Sequence, residues 1–148
     1  VPGLEETAVK ERGYRRCLAG HGLEMEPGQV QPGFYRYEES YRAAGYLLKL
    51  FQPDAILAVN DLAAIAALNC ALDMGLRVPE DVQVIGFDGI RMFGDLDYVC
   101  STIEQPVADI AEACVSMILS PDFKGLPSLI CLPVTYADGG TTLPLKQP

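Results

Sequence analysis

Two short apolar runs, "AILAV" at residues 55–59 and "VQVIGF" at 82–87, constrain this chain more than anything else in it. Each is too short for a buried helix. Each lacks the alternation of a half-solvated strand, so both read as buried strands of the parallel-sheet kind. Between them a helix is expected from about Leu62 to Met74, with Gly75 as its C-terminal cap. Strand, helix and strand at these lengths argue for a parallel sheet covered by helices.

The flanking sequence extends the alternation. "EETAVKERGYRRCLAGHG" reads as a helix stopped by Gly20 and Gly22, with a partial apolar stripe of Ala8, Tyr14, Cys17 and Leu18. A loop follows, with Pro27, Gly28, Pro32 and Gly33, and it encloses a possible short strand at Gln29–Gln31. "EESYRAAGYLLKLF" reads as a second helix, with Tyr41, Ala44, Leu47, Leu48 and Phe51 on one face and Pro53 as its breaker. "CSTIE" is expected as a short strand. Pro106 should open a fourth helix, "VADIAEACVSMIL", since proline suits the first helical position. "SLICLPVTY" reads as a last strand and "ADGGTTLPLKQP" as an exit tail. The expected class is therefore α/β, a parallel sheet with helices on both faces.

Ligands of open parallel sheets gather at the carboxyl ends of the strands. Here one strand ends at Asn60-Asp61 and another at Asp88. An amide offers donor and acceptor, and a carboxylate accepts through two oxygens, a mixture that suits a polar small molecule. Local structure offers a competing account. Asn60 or Asp61 could cap the helix that follows, a role favoured for Asp61. Asp88 precedes Gly89 in a turn, where aspartate is common for local reasons.

Composition narrows the function classes. The net charge of −9 repels phosphate backbones, so these residues are not expected to bind DNA by themselves. Five cysteines without a C-x-x-C pair argue against a zinc site or a disulfide framework. Cys17, Cys70 and Cys114 lie among helical apolar residues and are expected to be buried free thiols, which suits the cytoplasm. No apolar run approaches the ~20 residues of a membrane span, and no secretion leader opens the chain. It begins "VPGLEE" without an initiating Met, so it is expected to be part of something longer. His21 is the single histidine and sits just past a helix. The basic cluster Arg12, Arg15 and Arg16 reads as a solvated helix face. No phosphate loop, nucleophile elbow or H-E-x-x-H occurs. No metal, cofactor or catalytic residue is expected, and an enzyme is the weaker reading.

The stretch "PDAILAVNDLAAIAALNCALDMGLRVPEDVQVIGFDGI", followed by "STIEQP", resembles the effector-binding core of lactose-repressor-like (LacI/GalR) transcription regulators. Pro53, Asp54, Asn60, Asp61, Ala64, Gly75, Pro79, Asp81, Gly86, Phe87, Asp88, Thr102, Gln105 and Pro106 carry it. The resemblance implies a two-lobed, periplasmic-binding-protein-like core with a small polar effector between the lobes, such as a sugar or related metabolite. It also implies a homodimer, and operator DNA held only through an N-terminal helix-turn-helix that is not among these residues.

By position, the resemblance assigns ligand contacts to Asp88 and Asn60, and a stacking aromatic to Tyr35. Lys10 falls where many members have an arginine that grips ligand oxygens, although lysine lacks the bidentate fork. Gln105 and Pro106 fall at the hinge. Residues 1–100 and 127–137 are expected in the C-terminal lobe. Residues 101–120 are expected as a strand and helix crossing into the other lobe, with 138–148 as the tail. On that expectation Ala108, Ile110, Ala111, Cys114, Met117 and Ile118 stay exposed unless another segment covers them. A solute-binding protein of a sugar transporter shares the fold and is the alternative.

Overall fold

A computed structural model describes residues 4–91, 98–120 and 129–144. The element order is α1 (Leu4–Gly20), α2 (Tyr37–Leu50), β1 (Ala55–Leu57), α3 (Asp61–Asp73), β2 (Gln83–Asp88), β3 (Thr102–Glu104), α4 (Val107–Leu119) and β4 (Thr135–Ala137). The sheet runs β1-β2-β3-β4. Its first three strands are parallel, and β4 is antiparallel to β3.

The core forms where α3 lies on the sheet. Ala63, Ala64, Ala66, Ala67 and Ala71 are all buried, and these small side chains let α3 approach β1 and β2 closely. Ile56, Val82 and Val84 supply the sheet side. On the outer side of α3, α2 contributes buried Ala44 and Leu48, with Tyr41 packed partly against them. Gly45 lets the two helices close up, because a Cβ there would stand 3.3 Å from the Cys70 sulfur. Phe87 follows Gly86 on β2 and so points to the opposite face. There it meets the Lys10 ammonium of α1, 3.9 Å from its ring centroid.

Several details differ from the sequence reading. No strand forms at 29–31. The loop satisfies its own polar groups instead, with Glu26 N donating to Gln29 Oε1 and Gln31 Nε2 to the Gly28 carbonyl. Pro106 is the N-cap residue rather than the first helical one, and α4 starts at Val107. The last strand shortens to Thr135–Ala137, and Pro133, without an N–H, sits just before it. Of the three cysteines expected to be buried, only Cys70 is. Cys17 and Cys114 are exposed, because α1 and α4 bury little of their surface in this chain. No residue of α4 is buried. Val107, Val115 and Ile118 are each more than half exposed.

Residues 138–143 do more than leave the fold. Val84 N donates to the Thr141 carbonyl, and Thr141 Oγ1 donates to the Val84 carbonyl at 2.6 Å. The same hydroxyl accepts from Ser101 N at 2.8 Å, and Leu143 N reaches Gln83 Oε1. The first half of β2 is thus paired by this segment, while its second half is paired by β3. Thr141→Val keeps the shape but strands a buried N–H and a carbonyl. It should cost about 2 kcal/mol in denaturant unfolding, whereas a change within error would show that water replaces the hydroxyl.

Candidate functional site

The register of the parallel ladder decides what meets at its open end. Ala55, Ile56 and Leu57 pair with Gln83, Val84 and Ile85, and Ala58 N still donates to the Ile85 carbonyl. Carried on to the strand tips, that register sets Asn60 level with Asp88. The next strand brings Gln105 to the same end. Asp88 pairs with Glu104, and Gln105 Nε2 donates to Asp88 Oδ1 at 2.8 Å.

Lys10 arrives from α1. Its Nζ donates to the Val59 carbonyl at 3.2 Å and pairs with Glu6 at 2.7 Å, which places a cation beside the tips of β1 and β2. Tyr35 stands next to the same helix, with its hydroxyl 2.8 Å from Thr7 Oγ1, one turn before Lys10. Tyr35 is 40% exposed, and both Phe34 and Tyr35 hold left-handed backbone conformations, with φ of 50° and 56°. Asn60, Asp88, Lys10 and Gln105 therefore converge, with Tyr35 on the α1 side. Pro106 continues from Gln105 into α4. Asp88, Glu104, Gln105, Pro106 and Asp109 line a groove of about 480 Å³ beside them.

The electrostatics are those of a half-buried carboxylate. Burial pushes the Asp88 carboxyl above the usual aspartate range, and nearby Asp61 and Glu6 push the same way. The Gln105 bond and the Lys10 charge oppose them. Glu104 is partnered by Arg91, whose Nη2 also donates to the Tyr98 hydroxyl. Among the described residues, no three His, Cys, Asp or Glu side chains gather as a metal site.

Asn60 and Asp61, ambiguous in sequence, divide the work. Asn60 is the N-cap of α3, its Oδ1 accepting from Ala63 N at 2.9 Å. The cap uses the oxygen and leaves the Nδ2 donors out of it. Asp61 is not the cap. It is 1% exposed and accepts from Thr102 Oγ1 and from Ile90 N, both at 2.6 Å. Sequence reasoning missed this role and the Gln105 contact, since both depend on β3 lying beside β2. His21 is exposed, with Nδ1 against the Cys17 carbonyl, and Arg15 pairs with Glu11 on a solvated face, as expected.

Asp88 carries a further mark. Its φ is +126°, a region that L-residues other than glycine rarely enter, and such strain costs about 1–3 kcal/mol. Strain of this kind persists only where the surroundings hold it, and it concentrates at functional sites.

Comparison with known proteins gives a consistent picture. Residues 3–121 match the periplasmic binding protein-like domain family. The chain is 33% identical over 129 residues to the probable transcriptional repressor ExuR of Bacillus subtilis, covering 84% of this chain and 39% of that one. It is 34% identical over 123 residues to the repressor CytR of Escherichia coli, covering 80% and 36%. It thus spans well under half the length of these curated relatives. Among solved structures, a transcription regulator from Lactobacillus plantarum superposes with a TM-score of 0.75 at 25% identity, over 88% of this chain and 51% of that one. A LacI family regulator from Arthrobacter sp. FB24, solved in complex with lactose, gives 0.64 at 29% identity, over 74% and 42%.

Proposed function

Because the chain belongs to the periplasmic binding protein-like domain family, in the company of LacI-type regulators, we propose that it is the ligand-sensing part of a transcriptional repressor. It forms one wall of a cleft for a small polar effector, probed first as a sugar. Asp88 and Asn60 hold hydroxyls or ring nitrogens, Tyr35 stacks, and Lys10 adds charge. The observation that carries this is the convergence of Asp88, Asn60, Lys10 and Gln105 at the carboxyl ends of adjacent parallel strands.

Residues 1–100 and 127–137 then form the C-terminal lobe. Residues 101–120 cross to an opposing lobe, which covers the apolar face of α4, and Gln105 and Pro106 lie at the hinge. The effector acts by binding one lobe arrangement more tightly than the other, and that difference is all it can pass to operator DNA. A helix-turn-helix elsewhere in the protein makes the DNA contact, and the repressor works as a homodimer in the cytoplasm, reading paired half-sites. A transporter solute-binding protein is not favoured, because the relatives and structures above are transcription regulators. Those relatives are regulators rather than enzymes.

The test is a thermal-shift screen of the intact protein against neutral mono- and disaccharides, nucleosides and purines, followed by operator binding with each hit. A compound that both raises the melting temperature and changes operator affinity supports the reading, whereas chemical turnover of that compound refutes it. The pH dependence follows from Asp88. A carboxyl with a raised pKa protonates at higher pH than ordinary aspartate. Effector affinity should therefore begin to fall, as pH is lowered, before the usual carboxylate range is reached. Calorimetry across the acid range checks it, and a flat profile would remove the ionised carboxylate from the contact.

A further inference from the structure

The chain is caught just after the strained backbone of Asp88. The next two amides are both caught. Gly89 N donates to Thr102 Oγ1 at 3.3 Å, and Ile90 N donates to Asp61 Oδ2 at 2.6 Å. The two acceptors are themselves joined, since Thr102 Oγ1 donates to Asp61 Oδ1 at 2.6 Å. Asp61 is 1% exposed and Thr102 fully buried. One carboxylate and one hydroxyl therefore tie the start of α3, the turn after β2 and the start of β3 to a single point.

We infer that Asp61 is a positioning residue for the cleft: with Thr102 it clamps the Gly89–Ile90 turn and so holds Asp88 at positive φ, with its carboxylate on Gln105. The geometry leaves little slack. Gly89 itself has a φ of 79°, and a Cβ on it would stand 2.7 Å from Glu104 Cγ. The turn is thus fixed by two hydrogen bonds on one side and by the β3 backbone on the other. If the clamp is released, rotation at Asp88 to negative φ relieves the strain. It also swings both amides and the carboxylate away from their partners. The Asp61–Thr102 pair then sets the effector affinity without touching the effector. The inference rests on the cleft reading above for its purpose, though not for its geometry.

Crystal structures and melting temperatures of three variants of the intact protein test it without any small molecule. Asp61→Asn keeps the size, but an amide nitrogen turned to Ile90 N sets donor against donor, and one turned to Thr102 leaves the hydroxyl proton without its acceptor. Thr102→Val removes the hydroxyl with no change of charge. Thr102→Ser keeps the hydroxyl and serves as the rescue. In Asp61→Asn and Thr102→Val, φ at Asp88 should leave the positive region and the Gln105–Asp88 bond should break, while Thr102→Ser retains both. If Asp61→Asn does not fold, the two Thr102 variants decide alone. Lower melting temperatures with φ at Asp88 still positive in Thr102→Val would overturn the inference and reduce the pair to core stabilisation. Such a result leaves the effector reading to the Asp88 titration described below.

Discussion

Asp88→Ala should weaken effector binding by about 100-fold or more while leaving the fold in place. A carboxylate that accepts two hydroxyls contributes charge-assisted hydrogen bonds worth ~1.5–3 kcal/mol each, and each ~1.4 kcal/mol is tenfold in affinity. Stability should change little, because opposing effects meet at this residue. The variant loses the Gln105 bond, but it also removes a carboxylate that burial disfavours. The backbone strain stays, because alanine tolerates positive φ no better. Titration calorimetry with the compound found by the screen, in parallel with thermal unfolding, separates the two quantities. Asp88→Asn refines the result: it keeps the shape and should retain part of the affinity if a neutral acceptor serves one of the two bonds. Unchanged affinity in Asp88→Ala would end the assignment.

Gly86→Ala should be a severely damaging single-methyl change. A Cβ at this position would lie 2.2 Å from Asp61 Oδ1, 3.1 Å from Ala64 Cβ and 3.2 Å from Asp61 Cα. The backbone of β2 suits alanine there, so the cost is steric. Overpacking of a tight core costs about 1–3 kcal/mol. Here the atom that must move is the carboxylate that binds Thr102 and Ile90, so about 3 kcal/mol or somewhat more is expected once a buried hydrogen bond is lost as well. Denaturant unfolding of the intact protein should show an earlier midpoint at an unchanged slope, the sign of lost stability without a change of mechanism. A loss below about 1 kcal/mol would mean that α3 can slide off the sheet and that the alanine stripe is looser than its burial suggests.

Much of this was legible in the sequence, and the reasons are local. "AILAV" and "VQVIGF" announce parallel strands by their short apolar runs, although in β1 only Ile56 is buried, with Ala55 and Leu57 exposed on either side of it. The alanine run between them announces a helix that lies close to its neighbours. That Asn60 and Asp88 come level at one end of the sheet follows once the strands are taken as adjacent and parallel. What escaped depends on contacts distant in sequence. Asp61 looks like a cap because its partner Thr102 stands 41 residues away. The bond from Gln105 to Asp88 stays hidden until β3 is set beside β2. The failed strand at 29–31 carries one apolar residue, Val30, between two glutamines whose amides bond within their own loop. Cys17 and Cys114 obey helical periodicity on helices that bury little here. Periodicity shows which face would be buried, but it does not show whether anything covers that face.

The place of Thr141 has a consequence for how the chain matures. As residues emerge in order during synthesis, β1, α3, β2 and β3 are complete well before Asp138–Leu143. Until then Val84 and Ser101 lack partners that the finished fold supplies from this late segment. The sheet is therefore latched from its far end. A polypeptide cut short at the close of β4 would carry every residue of the cleft wall and still hold an unfastened seam through its centre.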